Sequence, residues 1–169
     1  MYKPGKSKGY IRDSVFLFLL ESNCKHVLTL PNLYFGLEKK LLDKGIKVDC
    51  SEYSVNTFKK QREIAPKGIT LHSKNVADID LSKYDGIFFD FYGTFNKSLA
   101  KALPRIEPGT SVAFTFLMAR ENLKLQKIIN IKRREKSYCK LLYRYGVDIE
   151  KYANYNDSSP MCVFFGTKF

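Results

Sequence analysis

A small set of residues has the types and spacing to handle a nucleotide-like ligand. Glu52 stands twenty residues after Asn32. In dinucleotide-binding folds an acid at about that interval accepts hydrogen bonds from ribose hydroxyls. A carboxylate suits a cis-diol because it offers two acceptor oxygens. The plainer reading makes Glu52 a surface residue of a strand-to-helix turn. Asn75 and Val76 follow a third apolar run, and Asp90, Phe91 and Tyr92 close a fourth. Asp90 can orient or accept from an amino group, and Tyr92 can stack on a base. Phe91 and Tyr92 read equally well as packing at a strand end.

A second set is cationic. Lys124, Lys127, Lys132, Arg133, Arg134, Lys136, Lys140 and Arg144 fall within about six helical turns. Ile128, Ile129, Ile131, Leu141 and Leu142 supply an apolar stripe, and Tyr138, Tyr143 and Tyr145 add flat rings. Lysine and arginine together number 29 against 17 acids, a formal charge of +12. A surplus of that size concentrates polyanions around a protein, so nucleic acid is the expected partner class. Lys132, Arg133, Arg134 and Lys136 are the candidate nucleic-acid contacts. The alternative is a solvated helix face.

The elements that must position these residues can be read from periodicity and breakers. Residues 1–9 form a basic arm expected to be flexible, and residues 10–169 one domain. Residues 10–22 carry apolar side chains at helical spacing. Residues 26–30 (HVLTL) read as a strand stopped by Pro31-Asn32. A helix follows over residues 33–43, with Lys44-Gly45 as its stop. Residues 46–50 alternate as a second strand, and a polar helix covers 55–64. Residues 69–72 form a third strand and residues 84–91 contain a fourth. A short helix spans 96–103, a fifth strand 111–116, and the basic helix 120–145. Segments 147–155 and 161–169 read as a closing hairpin about the turn 156–160. Alternation of this kind implies right-handed βαβ units and a largely parallel sheet. Ligands of such sheets sit beyond the carboxyl ends of the strands. Leu30, Pro31, Asn32, Glu52, Tyr53, Asn75, Val76, Asp90 and Phe91 all fall at those ends.

Composition narrows the class. Hydrophobic residues make 44% and charged residues 27% of the 169 positions, which is ordinary globular usage. Cys24, Cys50, Cys139 and Cys162 form no CxxC pair, and His26 and His72 are the two histidines. The cysteines are expected to be reduced and mostly buried, with no zinc site. The run VFLFLL over residues 15–20 is far too short to span a bilayer and no small-residue cleavage site follows it. The protein is therefore expected to be cytoplasmic and free of membrane.

The order helix, HVLTLPN, helix ending in KG, KVDCSEYS, ITLHSKNV, YDGIFFDFYG, SVAFTF and a closing PMCVFFGTKF looks like a class I S-adenosylmethionine-dependent methyltransferase. The resemblance covers residues 10–169. It implies a Rossmann-like three-layer α/β sandwich with a mostly parallel seven-stranded sheet and a C-terminal antiparallel hairpin. It also implies S-adenosylmethionine as cofactor, with Glu52 on its ribose, Asn75 and Val76 on its adenine, and Leu30, Pro31, Asn32, Tyr53, Asp90 and Phe91 around it. Asp90 and Tyr92 would be the catalytic pair facing methyl group and acceptor, with nucleic acid as the expected acceptor. The sequence departs from the family at the first loop, where GxGxG is replaced by PNLYFG with Gly36 alone. Two alternatives stay open: a non-catalytic nucleic-acid-binding domain on the same fold, and a methyltransferase for protein or a small molecule. FFDFYGTF is also similar to the DxDGT signature of haloacid-dehalogenase-type phosphatases, but Tyr92 replaces the second acid and the motif falls on the fourth strand.

Overall fold

The computed structural model describes residues 8–31, 33–91, 93–118, 134–157 and 159–169. Helix α1 (Lys8–Glu21) leads into β1 (His26–Thr29), α2 (Gly36–Asp43), β2 (Lys47–Ser51), α3 (Val55–Ile64) and β3 (Ile69–His72). Then come β4 (Gly86–Asp90), α4 (Lys97–Ala102), β5 (Ser111–Leu117), α5 (Arg134–Arg144), β6 (Val147–Asp157) and β7 (Ser159–Lys168). Two short 3-10 turns, Val76–Asp78 and Leu103–Arg105, complete the described elements.

The strands form one seven-stranded sheet in the order β3-β2-β1-β4-β5-β7-β6. Strands β1 to β5 pair in parallel, and β7 runs antiparallel to both β5 and β6. This is the mostly parallel α/β sandwich with a C-terminal antiparallel hairpin. The strand order reverses between β1 and β4, where the chain leaves one half of the sheet for the other.

Side-chain alternation explains the layers. Along β1, Val27 and Thr29 face one side and Leu28 the other. On the first side, Val27, Val48, Cys50, Phe88 and Ala113 pack under Ile11, Val15, Phe18 and Leu19 of α1 and Leu37 and Leu41 of α2. On the second, Leu28, Ile87, Phe89, Val112, Phe114 and Phe116 pack under Leu99 and Ala102 of α4 and Tyr138 and Leu142 of α5. A ladder of rings runs across that face, with Phe89 on Phe114 at 5.2 Å and Phe116 on Tyr138 at 4.5 Å. Strands covered on both faces need apolar side chains in both directions, which is why GIFFD and SVAFTFL are nearly continuous apolar runs.

Several boundaries differ from expectation. Helix α1 starts at Lys8, so Lys8 and Gly9 belong to a helix and not to an arm; residues 1–7 lie outside the described residues. Helix α2 starts at Gly36 and not at residue 33, because Phe35 takes a left-handed conformation (φ 49°) that interrupts the helix there. The basic helix is described over Arg134–Arg144, and its expected first part, with Lys132 and Arg133, lies outside the described residues. The closing turn is tighter than 156–160, since Asn156 pairs with Pro160 and Asp157 with Ser159. Among the described residues no helix is long and apolar enough to cross a membrane. All four cysteines are free; Cys24, Cys50 and Cys162 are buried and Cys139 is half-buried.

One buried charge ties three strands together. Asp49 of β2 is almost fully buried. His26 and His72 donate through Nε2 to its two oxygens at 3.1 and 2.9 Å, and the Tyr84 hydroxyl donates at 2.8 Å. Burial pushes this carboxyl up, but the bonds from His72, His26 and Tyr84 outweigh it and hold the carboxyl well below its usual range. Such a group adds stability above its unfolded pKa and loses it as pH falls. We expect Asp49→Asn to lower stability near pH 7 by about 2–4 kcal/mol. Urea denaturation is expected to show that gap narrowing once pH drops below the ordinary value of 3.8. A gap that is constant with pH would mean that the carboxylate's charge is not what holds the network.

Candidate cofactor and substrate cavity

A cavity of about 550 Å³ opens at the carboxyl edge of the sheet, across β1, β2, β3 and β4. It lies beside the point where strand order reverses, as open α/β sheets predict. Leu30 and Pro31 follow β1 and wall one side. Ser51, Glu52 and Tyr53 come from the end of β2, and Lys74, Asn75 and Val76 from the turn after β3. Asp90, Phe91 and Gly93 come from the end of β4, and Asn96 and Ser98 from the start of α4. The structure thus brings together Leu30, Pro31, Glu52, Tyr53, Asn75, Val76, Asp90 and Phe91, eight residues singled out in the sequence. Asn32 and Tyr92 lie outside the described residues. Arg134 and Lys136 sit on α5, which packs over the β5-β7-β6 half of the sheet, away from the cavity lining.

Local bonds aim these side chains. The Ser54 N–H donates to Oε1 of Glu52 at 2.7 Å, while the Glu52 N–H donates to the His72 carbonyl at 3.0 Å. Among the described residues nothing bonds Oε2 of Glu52, so one carboxylate oxygen is left for a ligand. Ser54 also caps α3, its hydroxyl accepting from Thr57 N–H. Both ends of the Asn75 side chain are used: Oδ1 accepts from the Ala77 N–H at 2.9 Å and Nδ2 donates to Ser98 at 2.9 Å. Asn75 therefore shapes the turn after β3 with its side chain, and what it offers a ligand is its backbone and its place in the wall. Phe91 stacks on Phe89 at 5.9 Å, which fixes its ring at the cavity edge.

Asp90 is not a free acid. Its Oδ2 accepts from the Arg12 guanidinium at 3.1 Å and its Oδ1 from the Thr115 hydroxyl at 2.9 Å. Alternation makes this inevitable: Asp90 shares the face of Phe88, which is the α1 face, and its register partner on β5 is Thr115. Sequence reading missed Arg12, which lies 78 residues from Asp90 on a helix read only for its apolar stripe. It also missed Ser51, Lys74, Gly93, Asn96 and Ser98 in the lining, although each is within a few residues of one that was named.

The loop from Leu30 to Gly36 is held from two sides. Gln61 of α3, fully buried, donates from Nε2 to the Pro31 carbonyl at 3.2 Å, and its Oε1 takes no bond from the described residues. On the other side, Thr29 donates to the buried Glu38 carboxyl of α2 at 2.8 Å. Burial pushes the Glu38 carboxyl above its ordinary range, with nearby Asp90 adding to the effect and Arg12 opposing it.

This chemistry suits holding a ligand better than attacking one. The four cysteines lie outside the cavity, and burial pushes the Cys24 thiol up to about 11. Among the described residues Ser98 has Asn75 as its partner and no base. Among the described residues no three His, Cys, Asp or Glu side chains are placed to hold a metal.

No protein-family model matches this sequence, and no curated protein matches it either. Solved structures do. Magnesium protoporphyrin IX methyltransferase from Synechocystis PCC 6803 with bound SAM superposes with a TM-score of 0.70 at 12% identity, over 99% of this chain and 88% of that one. The N-methyltransferase NodS from Bradyrhizobium japonicum WM9, in complex with S-adenosyl-L-homocysteine, gives 0.66 at 10%, over 95% and 87%. A Burkholderia thailandensis 1,6-didemethyltoxoflavin-N1-methyltransferase gives 0.67 at 11%, over 96% and 79%. The fold is that of the class I S-adenosylmethionine-dependent methyltransferases. At these identities the likeness concerns the fold, and the activity must be argued from the cavity.

Glu38 gives this region a pH dependence opposite in sign to that of Asp49. A carboxyl with a raised folded-state pKa favours folding at low pH and loses that contribution as pH rises from its ordinary 4.5 through the folded value. Glu38→Gln keeps an acceptor for Thr29 without the charge. It is expected to match the parent near pH 4 and to exceed it near pH 8 by about 1–2 kcal/mol in chemical denaturation. Equal stability at both pH values would show that Glu38 is not strained by burial.

Proposed function

We propose that this chain is an S-adenosylmethionine-dependent methyltransferase whose acceptor is a nucleic acid. The observation that carries the cofactor half is the meeting of Glu52, Asn75, Val76, Asp90 and Phe91 in one cavity at the reversal of strand order. The volume lies in the usual range for small-ligand and cofactor sites. The residues present fit the group. Glu52, fixed by Ser54 and with Oε2 open, accepts from the ribose hydroxyls. Leu30, Val76 and Phe91 supply apolar walls for a purine, and Tyr53 covers it from the rim. Bound here, S-adenosylmethionine supplies a methyl group already activated for displacement.

The chain's own contribution to transfer is positioning. Asp90, locked by Arg12 and Thr115, presents a carboxylate at a fixed place at the end of β4, where it orients the acceptor group. Arg12 neutralises that carboxylate, so a polyanionic acceptor is not repelled at the cavity mouth. Lys74 adds a cation to the rim. The acceptor class rests on the net charge of +12. A small-molecule acceptor is the second reading, favoured by the substrates named for the protoporphyrin and didemethyltoxoflavin methyltransferases.

The test is calorimetric titration with S-adenosylmethionine and S-adenosylhomocysteine. The parent protein is expected to bind either in the micromolar range, and Glu52→Ala to bind roughly 100-fold more weakly through loss of charge-assisted bonds to the ribose. A parent that binds neither sinks the cofactor reading and leaves a nucleic-acid-binding domain. Full affinity in Glu52→Ala would remove Glu52 from the ribose. Transfer of labelled methyl to RNA and DNA, or to small acceptors alone, then separates the two acceptor readings.

A further inference from the structure

We infer that the outward face of α5 is a docking ridge for a single nucleic-acid strand. This rests on the nucleic-acid half of the proposed function and not on its cofactor half. Lys136, Lys140 and Arg144 stand four residues apart and are all exposed. That spacing puts them in one row along the helix, about 12 Å from first to last. The row matches roughly three stacked nucleotide steps of about 3.4 Å each. The opposite face of α5 is spent on the core, where Tyr138 and Leu142 are buried.

Arg144 in the last turn complements the helix dipole, but the row as a whole is not neutralised. Like charges four residues apart on a helix destabilise it. Among the described residues no carboxylate forms an ion pair with any of the three. Glu135, the one acid on α5, is bonded to Asn154 at 2.9 Å. Beside Arg144, Tyr143 and Phe169 stand with ring centroids 5.0 Å apart, and are 59% and 55% exposed. The Phe169 N–H donates to the Gly146 carbonyl at 2.8 Å, so its ring is presented from an anchored backbone. Two open rings at the end of a cationic row are a stacking platform for unpaired bases.

Position and chemistry select the partner. The Glu135–Asn154 bond sets the start of α5 near the carboxyl end of β5, because Asn154 pairs with Cys162 and Cys162 with Phe116. The cavity opens on that same edge of the sheet. A strand lying on the ridge thus has one end directed to the cavity edge. A membrane surface fits poorly, since the apolar face of α5 is committed to the core and cannot enter a lipid interface.

The experiment is fluorescence anisotropy of the full chain with labelled 12-nucleotide RNA and DNA single strands and the matching duplexes, over a range of salt. The triple change Lys136→Gln, Lys140→Gln, Arg144→Gln is expected to weaken single-strand binding at least tenfold. It is also expected to flatten the slope of log affinity against log salt by about 2, three cations at about 0.7 each. Tyr143→Ala is expected to weaken single strands at least fivefold and leave duplex binding within twofold. Circular dichroism of both variants checks that they remain folded, as exposed changes should. Unchanged affinity and slope in the triple variant overturn the ridge, as does absence of oligonucleotide binding by the parent. Loss of binding to phosphatidylserine vesicles with unchanged oligonucleotide binding also overturns it and makes the face a lipid contact. Calorimetry with S-adenosylmethionine keeps the two readings apart. A parent that fails to bind the cofactor while the triple variant loses oligonucleotide binding ends the methyltransferase reading and leaves the ridge standing.

Discussion

The pleat of four parallel strands decides which side chains can reach the cavity and which face of the sheet each one serves. On β1 the alternation sends Thr29 to the α1 and α2 face and Leu28 to the α4 and α5 face. On β2 it sends Cys50 one way and Asp49 with Ser51 the other. On β4 it sends Asp90 under α1 and Phe89 to the opposite layer. Asp90 can meet Arg12 and Thr115 only in this register, and Asp49 can meet His26 and His72 only in this register. A slip of one residue in β2 or β4 would exchange a buried carboxylate for an apolar side chain on each face. Register is therefore specified by polar groups as well as by apolar burial, and the cavity inherits that definition.

Two buried carboxylates flank the site on opposite faces and are stabilised in opposite ways. Asp49 is buried with four donors, His26, His72, Tyr84 and Lys83, so its charged form is the one the fold keeps. Glu38 accepts from Thr29 and from the backbone, but burial outweighs these bonds and pushes its carboxyl above the ordinary range. The difference follows from the donors each environment sets against the burial of its carboxyl. Asp49 links β1, β2 and β3, and the His72 carbonyl at the end of that linkage receives the Glu52 N–H. Glu38 ties the end of β1 to α2, just before the loop that walls the cavity. Asp49 thus supports one end of the site through its bonds across three strands, and Glu38 the other through its bond from Thr29.

Much of this was legible in the sequence where a breaker closes an apolar run. Pro31, Glu52, Asn75 and Gly93 each mark a strand end, and parallel topology places all four on one edge. Their meeting in a cavity therefore needed no knowledge of contacts. What was not legible depends on pairs far apart in the chain. Nothing near Arg12 points to Asp90, and nothing in HVLTL or ITLH points to Asp49 in KVDC. Glu38 reads as one of several charges on a helix surface. It is buried beside Leu37 and Leu41 on the inward face of α2, where it meets Thr29 of β1. Nor does the sequence mark the left-handed conformation of Phe35, since that conformation at phenylalanine has no sequence signature.

Phe35 also gives the first loop its turn in the absence of the glycines usual in such folds. Glycine normally supplies the positive φ and the close backbone approach of this turn. Here Phe35 takes the left-handed conformation at a cost of about 1–2 kcal/mol. Burying its ring, which is 1% exposed, returns about 2–3 kcal/mol. The side chain that makes the turn costly is thus the one that secures it. Gln61 fixes the Pro31 carbonyl from α3, and proline restricts its own φ. Pro31 and Phe35 are therefore held before any ligand arrives, with Leu30 and Pro31 facing the cavity as an apolar wall. A ligand entering it meets little ordering cost, but it must fit by shape where a glycine loop would adjust its backbone. The same rigidity that offsets the missing glycines narrows what the cavity can accept.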